Sequence, residues 1–450
     1  MTAAERLVDG VRALPETVPD EIDRIARLHL LDAVGVAVVA ARLGPARTLA
    51  SARRADGPCT VLGTGTGAQA AEAALVNGTL VHSLEYDDTH TGSVMHGSSV
   101  LAPAVLAAAE ARGCSGAGVV RSFVAGWEVL VRLGLAAPSG FQRTGFQGTS
   151  VAGPIAGAVA VGLLHGFDRD ALLDAVGVAA SFSAGNFTFL ARGATSKAAQ
   201  AGIGAQAAIS AVALAGGGIT GARDVFEGER GLFGLYARDP GAADRLAELS
   251  GDLGSRWYLA DAAFKALPCC HFLHPFAEAI AAVDVPVEWI RRIVCRVPEG
   301  QEQIIAEPWA RKQAPARADE ARWSLPYVVA LQAVRGAVAL TDFDGEPDPA
   351  VLAMAARVDR EPWPDSGYPA VFPAAIEVEL TDGTSRTAHV EDVDGSARRP
   401  WDAERVTGKF RDNCLRAGIA PEQAVKFSDA LISGPEPDFS QLRSLVGADG

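Results

Sequence analysis

The densest cluster of polar side chains in the sequence runs from His82 to His96. It reads HSLEYDDTH over residues 82–90, and His96 follows after a short gap. Imidazole and carboxylate groups can exchange protons near neutral pH, and the amides at a helix end can bind an anion. The cluster therefore predicts acid–base chemistry on an anionic substrate. A helix terminus whose polar groups only satisfy one another remains the alternative.

The same cluster could supply metal ligands, because imidazole nitrogen and carboxylate oxygen both bind divalent ions. It lacks the two histidines, four residues apart, of the HExxH motif. His82 and either Asp87 or Asp88 would also stand at awkward offsets on a helix. We therefore predict that no catalytic metal binds here.

Lys197 is an isolated cation among the small, mostly uncharged residues from Gly193 to Gly202. Its ammonium group either reaches solvent along the surface or is held in a pocket. In a pocket, burial would favour the neutral amine and make it a base, or the charge would bind a carboxylate. Both interpretations stay open at this point.

Two further segments carry groups that could face a ligand. The loop FQRTGFQGT (141–149) leads into an apolar helix, so its amides could bind an anion, or it could be a packing loop. It matches no nucleotide-binding motif. The segment FKALPCCHFLHP (264–275) places His271 and His274 three residues apart, which could put both on one helical face. A Cys–His nucleophile is conceivable there, but we interpret Cys269 and Cys270 as structural thiols.

The elements that must position these groups differ between two parts of the chain. Apolar residues recur at helical spacing through about the first 255 residues, which predicts helices with few strands. Strand patterns at 289–297 and 375–380, with a helical pattern at 322–338 between them, predict an α+β part. A helical pattern returns after Pro400. The sequence thus predicts a mostly α protein, with a large all-α helical domain (1–265 and 400–450) and a smaller α+β domain (266–399).

Composition and charge limit the partners and the compartment. The formal net charge is -14, whereas nucleic acid and anionic membranes both require clustered cations. Residues 144–164 and 198–222 are long enough to span a bilayer, but their Ala, Gly and polar residues favour buried helices. The six cysteines form no disulfide or metal pattern, and the N-terminus has no apolar signal segment. We expect a cytoplasmic protein that binds neither nucleic acid nor a membrane.

Segments in all of these regions resemble the MmgE/PrpD family, which includes 2-methylcitrate dehydratase, cis-aconitate decarboxylase and iminodisuccinate epimerase. The resemblance covers nearly the whole chain. Its segments are residues 77–96, the GFQRTG loop at 140–145, the turn before Lys197, residues 265–274 and ARWSLPY at 321–327. The family implies a large all-α domain built from both chain ends, a smaller α+β lid domain, a homodimer, and a cofactor-independent, metal-free site between the domains.

The resemblance also implies roles for particular residues. It implies four catalytic residues: His96, Lys197, His274 and Tyr327. It implies six substrate-binding residues: Glu85, Asp88, Thr89, Gln142, Lys265 and His271. The sequence departs from the family pattern where Glu85 replaces an aspartate, Leu267 a tyrosine, and Gln142 the histidine of a Gly-Phe-His-x-Thr-Gly motif. Glutamine cannot exchange a proton near neutral pH, so Gln142 disfavours decarboxylation.

These groups predict removal of a proton next to a carboxylate, since the resulting enolate needs a positioned base and fixed positive charge. We expect His96 or Lys197 to take the proton, and Tyr327 or a histidine to deliver one. The preferred prediction is a cofactor-independent lyase, a dehydratase (hydro-lyase) of a small di- or tricarboxylate. An epimerase or isomerase comes second and a decarboxylase third. A non-catalytic relative that only binds a carboxylate is the alternative of another class.

Overall fold

The computed structural model describes residues 1–52, 56–191, 193–434 and 436–446, and helices dominate it. In chain order the helices are α1 (Ala3–Arg12), α2 (Asp20–Ala40), α3 (Arg47–Ser51), α4 (Ala70–Ser83), α5 (Ser98–Arg112), α6 (Gly116–Ala136), α7 (Gly140–Arg143), α8 (Gly148–Leu164), α9 (Arg169–Ala180), α10 (Ser196–Gly216), α11 (Leu232–Tyr236), α12 (Ala242–Leu249), α13 (His274–Val283), α14 (Glu302–Ile305), α15 (Trp309–Gln313), α16 (Leu325–Arg335), α17 (Pro349–Ala355), α18 (Ala403–Arg416), α19 (Pro421–Ile432) and α20 (Leu442–Val446).

The strands are short in the first half of the chain and longer in the second. They are β1 (Cys59–Thr60), β2 (Gly67–Ala68), β3 (Thr89–His90), β4 (Ala262–Ala263), β5 (Ile290–Pro298), β6 (Val358–Trp363), β7 (Ala374–Leu380) and β8 (Ser385–Val390). The last four form one sheet in the order β6-β5-β7-β8. In this sheet β5 pairs parallel with β6, and β7 pairs antiparallel with both β5 and β8. The prediction of a mostly α chain with an α+β part is confirmed.

Small residues let the central helices of the larger part approach closely. A Cβ atom on Gly202 of α10 would lie 2.1 Å from the carbonyl oxygen of Leu75 in α4, so the two backbones need a glycine there. Among the described residues, α10 is the one helix long and apolar enough to cross a membrane. It packs here against α4, α5, α8 and α9, with most of its residues facing these neighbours rather than solvent.

Two hydrophobic cores are separate along the chain. The first collects buried side chains between Ala3 and Ala262 and adds Leu340, as well as side chains of the C-terminal helices such as Phe410 and Phe427. The second lies between Cys269 and Val393. Helix α18 packs on α2, where the ammonium of Lys409 lies 2.9 Å from the carboxylate of Asp32. The limits of the two domains at 265 and 400 stay a prediction.

Candidate active site

A cavity of about 1350 Å³ lies where side chains of the two cores meet. The larger part contributes Glu85, Thr89, His96, Gln142, Gln147 and Lys197 to its lining, and the α+β part contributes Cys270 and His271. These residues come from helix ends and from the segments that follow them. Helix ends carry backbone groups without helical partners, and such positions suit the binding of polar ligands.

The end of α4 turns sharply to point Glu85 toward the cavity. Glu85 has a φ of 53°, a left-handed conformation that is rare for a residue with a Cβ atom. Four residues later β3 pairs antiparallel with β4, and Thr89 lies opposite Ala263. This register carries Lys265 to the turn, where its ammonium donates to the carbonyl oxygen of Glu85 at 3.2 Å.

Lys197 and Glu85 form a buried ion pair at the cavity wall. The ammonium donates directly to the Glu85 carboxylate. Lys197 lies in the first turn of α10, where the helix dipole disfavours a cation, so the carboxylate stabilises a charge that the helix does not. Burial opposes ionisation of Glu85, but Lys197 and Lys265 outweigh it and lower its pKa from 4.5 to about 2. The site therefore keeps Glu85 ionised beside a positive charge.

Asp87 connects two histidines behind this pair. Its Oδ2 atom lies 2.7 Å from Nδ1 of His82 and 3.7 Å from Nδ1 of His96. Its Oδ1 atom lies 3.9 Å from the ammonium of Lys265. Burial raises the pKa of Asp87, yet His82 and Lys265 hold it well below the usual range. Asp87 is thus a buried anion that orients its neighbours.

The hydrogen bonds of His96 select one tautomer. Its Nδ1 atom lies 3.1 Å from the carbonyl oxygen of Asp88 and 3.1 Å from the hydroxyl of Thr89. A carbonyl oxygen only accepts, so the proton resides on Nδ1 and Nε2 keeps a lone pair. Burial and the charges of Lys197 and Lys265 hold the pKa of His96 well below 6.5. His96 is therefore a neutral imidazole at the cavity wall, ready to accept a proton.

His271 lines the cavity from the α+β part. Among the residues that the structure describes, neither of its ring nitrogens has a hydrogen-bond partner, although the residue is buried. Its ring stands edge-on to that of His274, with 4.7 Å between centroids. Burial lowers the pKa of His271 well below 6.5, so the ring is neutral. A buried, unpaired imidazole calls for a ligand that can donate to it or accept from it.

Four of the predicted site residues do not reach the cavity. Lys265 lies behind Glu85, as described above. Asp88 is occupied by His29 at 2.7 Å and by the backbone N–H of Ser98 at 3.1 Å, which fixes the start of α5. His274 points its Nε2 atom at the carbonyl oxygen of Cys269, 3.3 Å away. Tyr327 is buried in the second core, and its hydroxyl accepts from the N–H of Asp348 at 3.2 Å.

Sequence reasoning missed Gln147. The pattern Gly-Phe-Gln-x-Thr occurs twice, at residues 140–144 and again at 145–149, and the family resemblance implies a role only for the glutamine of the first copy. Gln142 lies in α7, whereas Gln147 caps α8, where its Oε1 atom accepts from the N–H of Ser150 at 2.6 Å. Both glutamines line the cavity. The repeat itself was the signal that could have pointed to Gln147.

The ligand atoms of His82, Asp87 and His96 lie within 4.8 Å of one another, so the geometry could hold a metal ion. The charges around them oppose it, since the ammonium of Lys265 is only 3.9 Å from Asp87. A divalent cation would be repelled by this lysine and would displace the proton on Nδ1 of His96. The absence of a catalytic metal stays a prediction.

Family models match both parts of the chain. The model of the MmgE/PrpD N-terminal domain matches residues 8–243, and that of the MmgE/PrpD C-terminal domain matches residues 267–429. Together they cover most of the 450 residues. The second match continues past residue 400 into α18 and α19, which pack on the helical part.

Curated relatives align over most of their length. The cis-aconitate decarboxylase of Aspergillus terreus is 27% identical over 459 aligned positions, which cover 96% of this chain and 93% of the relative. The human cis-aconitate decarboxylase is 29% identical over 364 positions, which cover 76% of this chain and 72% of the relative. A cis-aconitate decarboxylase-like protein of Aspergillus oryzae is 27% identical over 469 positions, covering 97% and 95%. With both domain models matched, the protein belongs to the MmgE/PrpD family, as its motifs predicted.

Proposed function

We propose that the protein is a lyase that removes a proton next to a carboxylate group of a small di- or tricarboxylate, with loss of water as the preferred outcome. One observation carries the proposal. His96 is a neutral imidazole with a free Nε2 atom, and it lines the same cavity as the charged Lys197. A base and a fixed positive charge are the two requirements for forming an enolate.

In the proposed reaction, Nε2 of His96 takes the proton from the carbon next to the carboxylate. The electrons of the C–H bond pass into the carboxylate, and the ammonium of Lys197 stabilises the enolate charge. The imidazolium then gives its proton to the hydroxyl on the neighbouring carbon. The C–O bond breaks, water leaves, and a carbon–carbon double bond forms. The ion pair with Glu85 holds the Lys197 ammonium in place throughout.

His271 has a place in this scheme as a substrate-binding group. Its unpaired ring nitrogens at the cavity wall could hold the second carboxylate or the leaving hydroxyl. A neutral imidazole donates from one nitrogen and accepts at the other, so it can hold a hydroxyl group as either partner. This role needs no change of protonation state.

Decarboxylation is the second candidate, because the curated relatives are named cis-aconitate decarboxylases and align with most of the chain. In that reaction a carbon–carbon bond would break, carbon dioxide would leave, and the carbon would need a proton. His96 would then have to act from its protonated form. The two glutamines, Gln142 and Gln147, cannot supply this proton, which is why loss of water is preferred.

Three general properties belong to the same proposal. We propose a homodimer, a cytoplasmic location, and catalysis without a metal or another cofactor. The proposal that no metal takes part rests on the position of Lys265 beside Asp87, because the lysine opposes a metal ion at His82, Asp87 and His96. Sedimentation of the purified protein, and its activity after treatment with EDTA, test the first and the third.

The test is proton NMR of the purified protein in deuterated buffer with citrate, malate, cis-aconitate and aminosuccinate. Loss of water from one acid would support a hydro-lyase, and release of carbon dioxide would support the second candidate. The Lys197→Met variant is expected to lower turnover by about 10²–10³-fold, because a fixed charge at the enolate is lost. Lys426→Met, at an exposed site on α19, is the matched control.

The proposal is rejected by either of two results. One is the absence of both deuterium exchange and net reaction with every acid in the panel. The other is unchanged turnover in a folded Lys197→Met protein. Exchange of deuterium without net change would instead indicate an epimerase, which keeps the proton-abstraction step and replaces the loss of water.

A further inference from the structure

The cavity is larger than a small polycarboxylate needs. We call the lining residues Glu85, His96 and Lys197, together with Asp87 and Lys265 behind them, the inner cluster. The volume of about 1350 Å³ exceeds even the range of about 300–1,000 Å³ that is usual for drug-sized ligands. A six-carbon acid bound at the inner cluster would leave most of this volume empty. The remaining walls therefore carry information about the rest of the substrate.

Those walls are aromatic. The larger part of the protein contributes Phe187 and Phe189, whose ring centroids lie 5.8 Å apart. The α+β part contributes Phe272 and Tyr368, whose centroids lie 5.5 Å apart. Trp323 also lines the cavity from the α+β part, and its ring centroid lies 5.7 Å from that of Phe189. Aromatic faces of this kind bind apolar or aromatic groups and offer little to a carboxylate.

We call the space lined by these rings the aromatic channel. It starts at Lys197 and is already formed in the structure. The ammonium of Lys197 lies 5.7 Å from the centre of the Trp323 ring. Phe189 and Trp323 come from the two different parts of the protein and are in contact. The helical part and the α+β part therefore touch at this point, so the large cavity volume does not result from a gap between them here. A group attached to a carboxylate at Lys197 would enter the channel directly.

The charges argue against a third carboxylate. In the inner cluster, the ammonium of Lys197 faces the carboxylate of Glu85, and the ammonium of Lys265 faces that of Asp87. The other charged lining groups are three glutamates and two arginines: Glu299, Glu302, Glu307, Arg143 and Arg360. Arg360 lies 3.8 Å from Glu307, so part of its charge is already used. The guanidinium of Arg143 donates to the carbonyl oxygen of Pro138 at 2.9 Å. Elsewhere in the lining a third carboxylate would meet aromatic rings or further acids, and both are unfavourable.

We propose that the substrate is a dicarboxylic acid that carries an aromatic or branched apolar substituent. Its carboxylates lie at the inner cluster and His271, and its substituent lies between Phe187 and Trp323. This inference rests on the proposed function for the inner cluster and adds the class of substrate to it. Within the small di- or tricarboxylates of the sequence-based prediction, it favours the dicarboxylates and adds a larger, uncharged substituent to them.

The experiment compares three probes by calorimetry on the intact protein: succinate, benzylsuccinate and propane-1,2,3-tricarboxylate. Benzylsuccinate is expected to bind at least about tenfold more tightly than the other two, because its phenyl ring becomes buried. Trp309 lines the cavity from the α+β part, as Phe187 does from the larger part. This gain should be lost in a Phe187→Ala, Trp309→Ala double variant, while succinate binding stays the same. Phe182→Ala is the control, since Phe182 is exposed and lies outside the cavity lining.

The outcomes separate this inference from the proposed function. Tight benzylsuccinate binding without deuterium exchange into any acid would support the aromatic channel and reject the lyase chemistry. Exchange into the small acids, with benzylsuccinate bound no more tightly than the tricarboxylate, would support the chemistry and overturn the substrate class. A benzyl gain that survives in the double variant would also overturn it, as would a folded protein that does not bind benzylsuccinate.

Discussion

The Nδ1 atom of His96 lies 3.1 Å from the main-chain carbonyl oxygen of Asp88. A main-chain acceptor cannot change its protonation state, so this contact fixes the tautomer whatever the side chains around it do. The base of the proposed reaction is thus oriented by the backbone that leads into β3. Asp87 and Thr89, on either side of that carbonyl, make the further contacts to the ring.

The first prediction concerns His96 itself. Replacing it with glutamine keeps a hydrogen-bond donor near the Asp88 carbonyl but removes the basic nitrogen. Turnover should fall by about 10²–10⁴-fold, the usual contribution of a general base. The measurement is the rate of deuterium incorporation into the bound acid, with the exposed His389→Gln on β8 as the control. Equal rates of deuterium incorporation in His96→Gln and His389→Gln would mean that another group is the base.

The second prediction concerns stability as the pH falls. The pKa of Glu85 is lowered from 4.5 to about 2 in the folded protein, where Lys197 and Lys265 outweigh the effect of burial. The folded form therefore binds fewer protons than the unfolded form in this window. The ionised Glu85 contributes its full stabilisation above about pH 4.5, and this contribution is lost as the pH falls toward 2.

Urea unfolding at several pH values checks this sign. The free energy of unfolding of the wild type should exceed that of Glu85→Gln at pH 6, and the difference should shrink steadily below pH 4.5. Glu377→Gln, at an exposed position of β7, serves as the comparison, and its difference from the wild type should change less. If the difference in unfolding free energy between the wild type and Glu85→Gln grew as the pH fell, the charged pair of Glu85 with Lys197 would be contradicted.

Several residues that line the cavity could be picked out from the sequence, because they stand out against Ala- and Gly-rich surroundings. The turn after α4, Lys197 and the segment around His271 were each identified from local polarity, and the α+β part was identified from alternating strands. The partner of Lys197 could not be predicted. It depends on the packing of α10 against α4, which brings together residues 112 positions apart.

Orientation was the second feature that sequence could not provide. The helical pattern at 322–338 corresponds to α16, which begins only after the Ser324 hydroxyl accepts from the N–H of Tyr327. That start directs the Tyr327 ring into the second core. Spacing within a motif indicates that a residue is near the site, but the local cap decides which way its side chain points.

The third prediction follows from this orientation. Tyr327→Phe removes only a hydroxyl that accepts from the N–H of Asp348, and neither residue lines the cavity. Turnover should change by less than about tenfold, whereas loss of a general acid costs about 10²–10⁴-fold. Steady-state kinetics on the reacting acid provides the measurement. A loss of the larger size would mean that the tyrosine reaches the substrate during turnover, as the family resemblance implied.

The last prediction decides between the two glutamines and between the two reactions. In Gln147→His, Nδ1 of the new ring could accept the bond from the N–H of Ser150 and leave Nε2 facing the cavity. Such a histidine can deliver a proton to carbon near neutral pH, which glutamine cannot do. Release of carbon dioxide from cis-aconitate should therefore rise above the wild-type level.

Gln142→His is the matched variant, because it introduces the same side chain at the same cavity from α7. Since Gln142 does not cap α8, we expect its histidine to raise carbon dioxide release less than that of Gln147→His. The reverse order would identify residue 142 as the proton-delivering position. A third outcome is that both variants bind the acid without releasing more carbon dioxide than the wild type. In that case a missing proton donor does not limit decarboxylation, and the two glutamines no longer favour loss of water over decarboxylation.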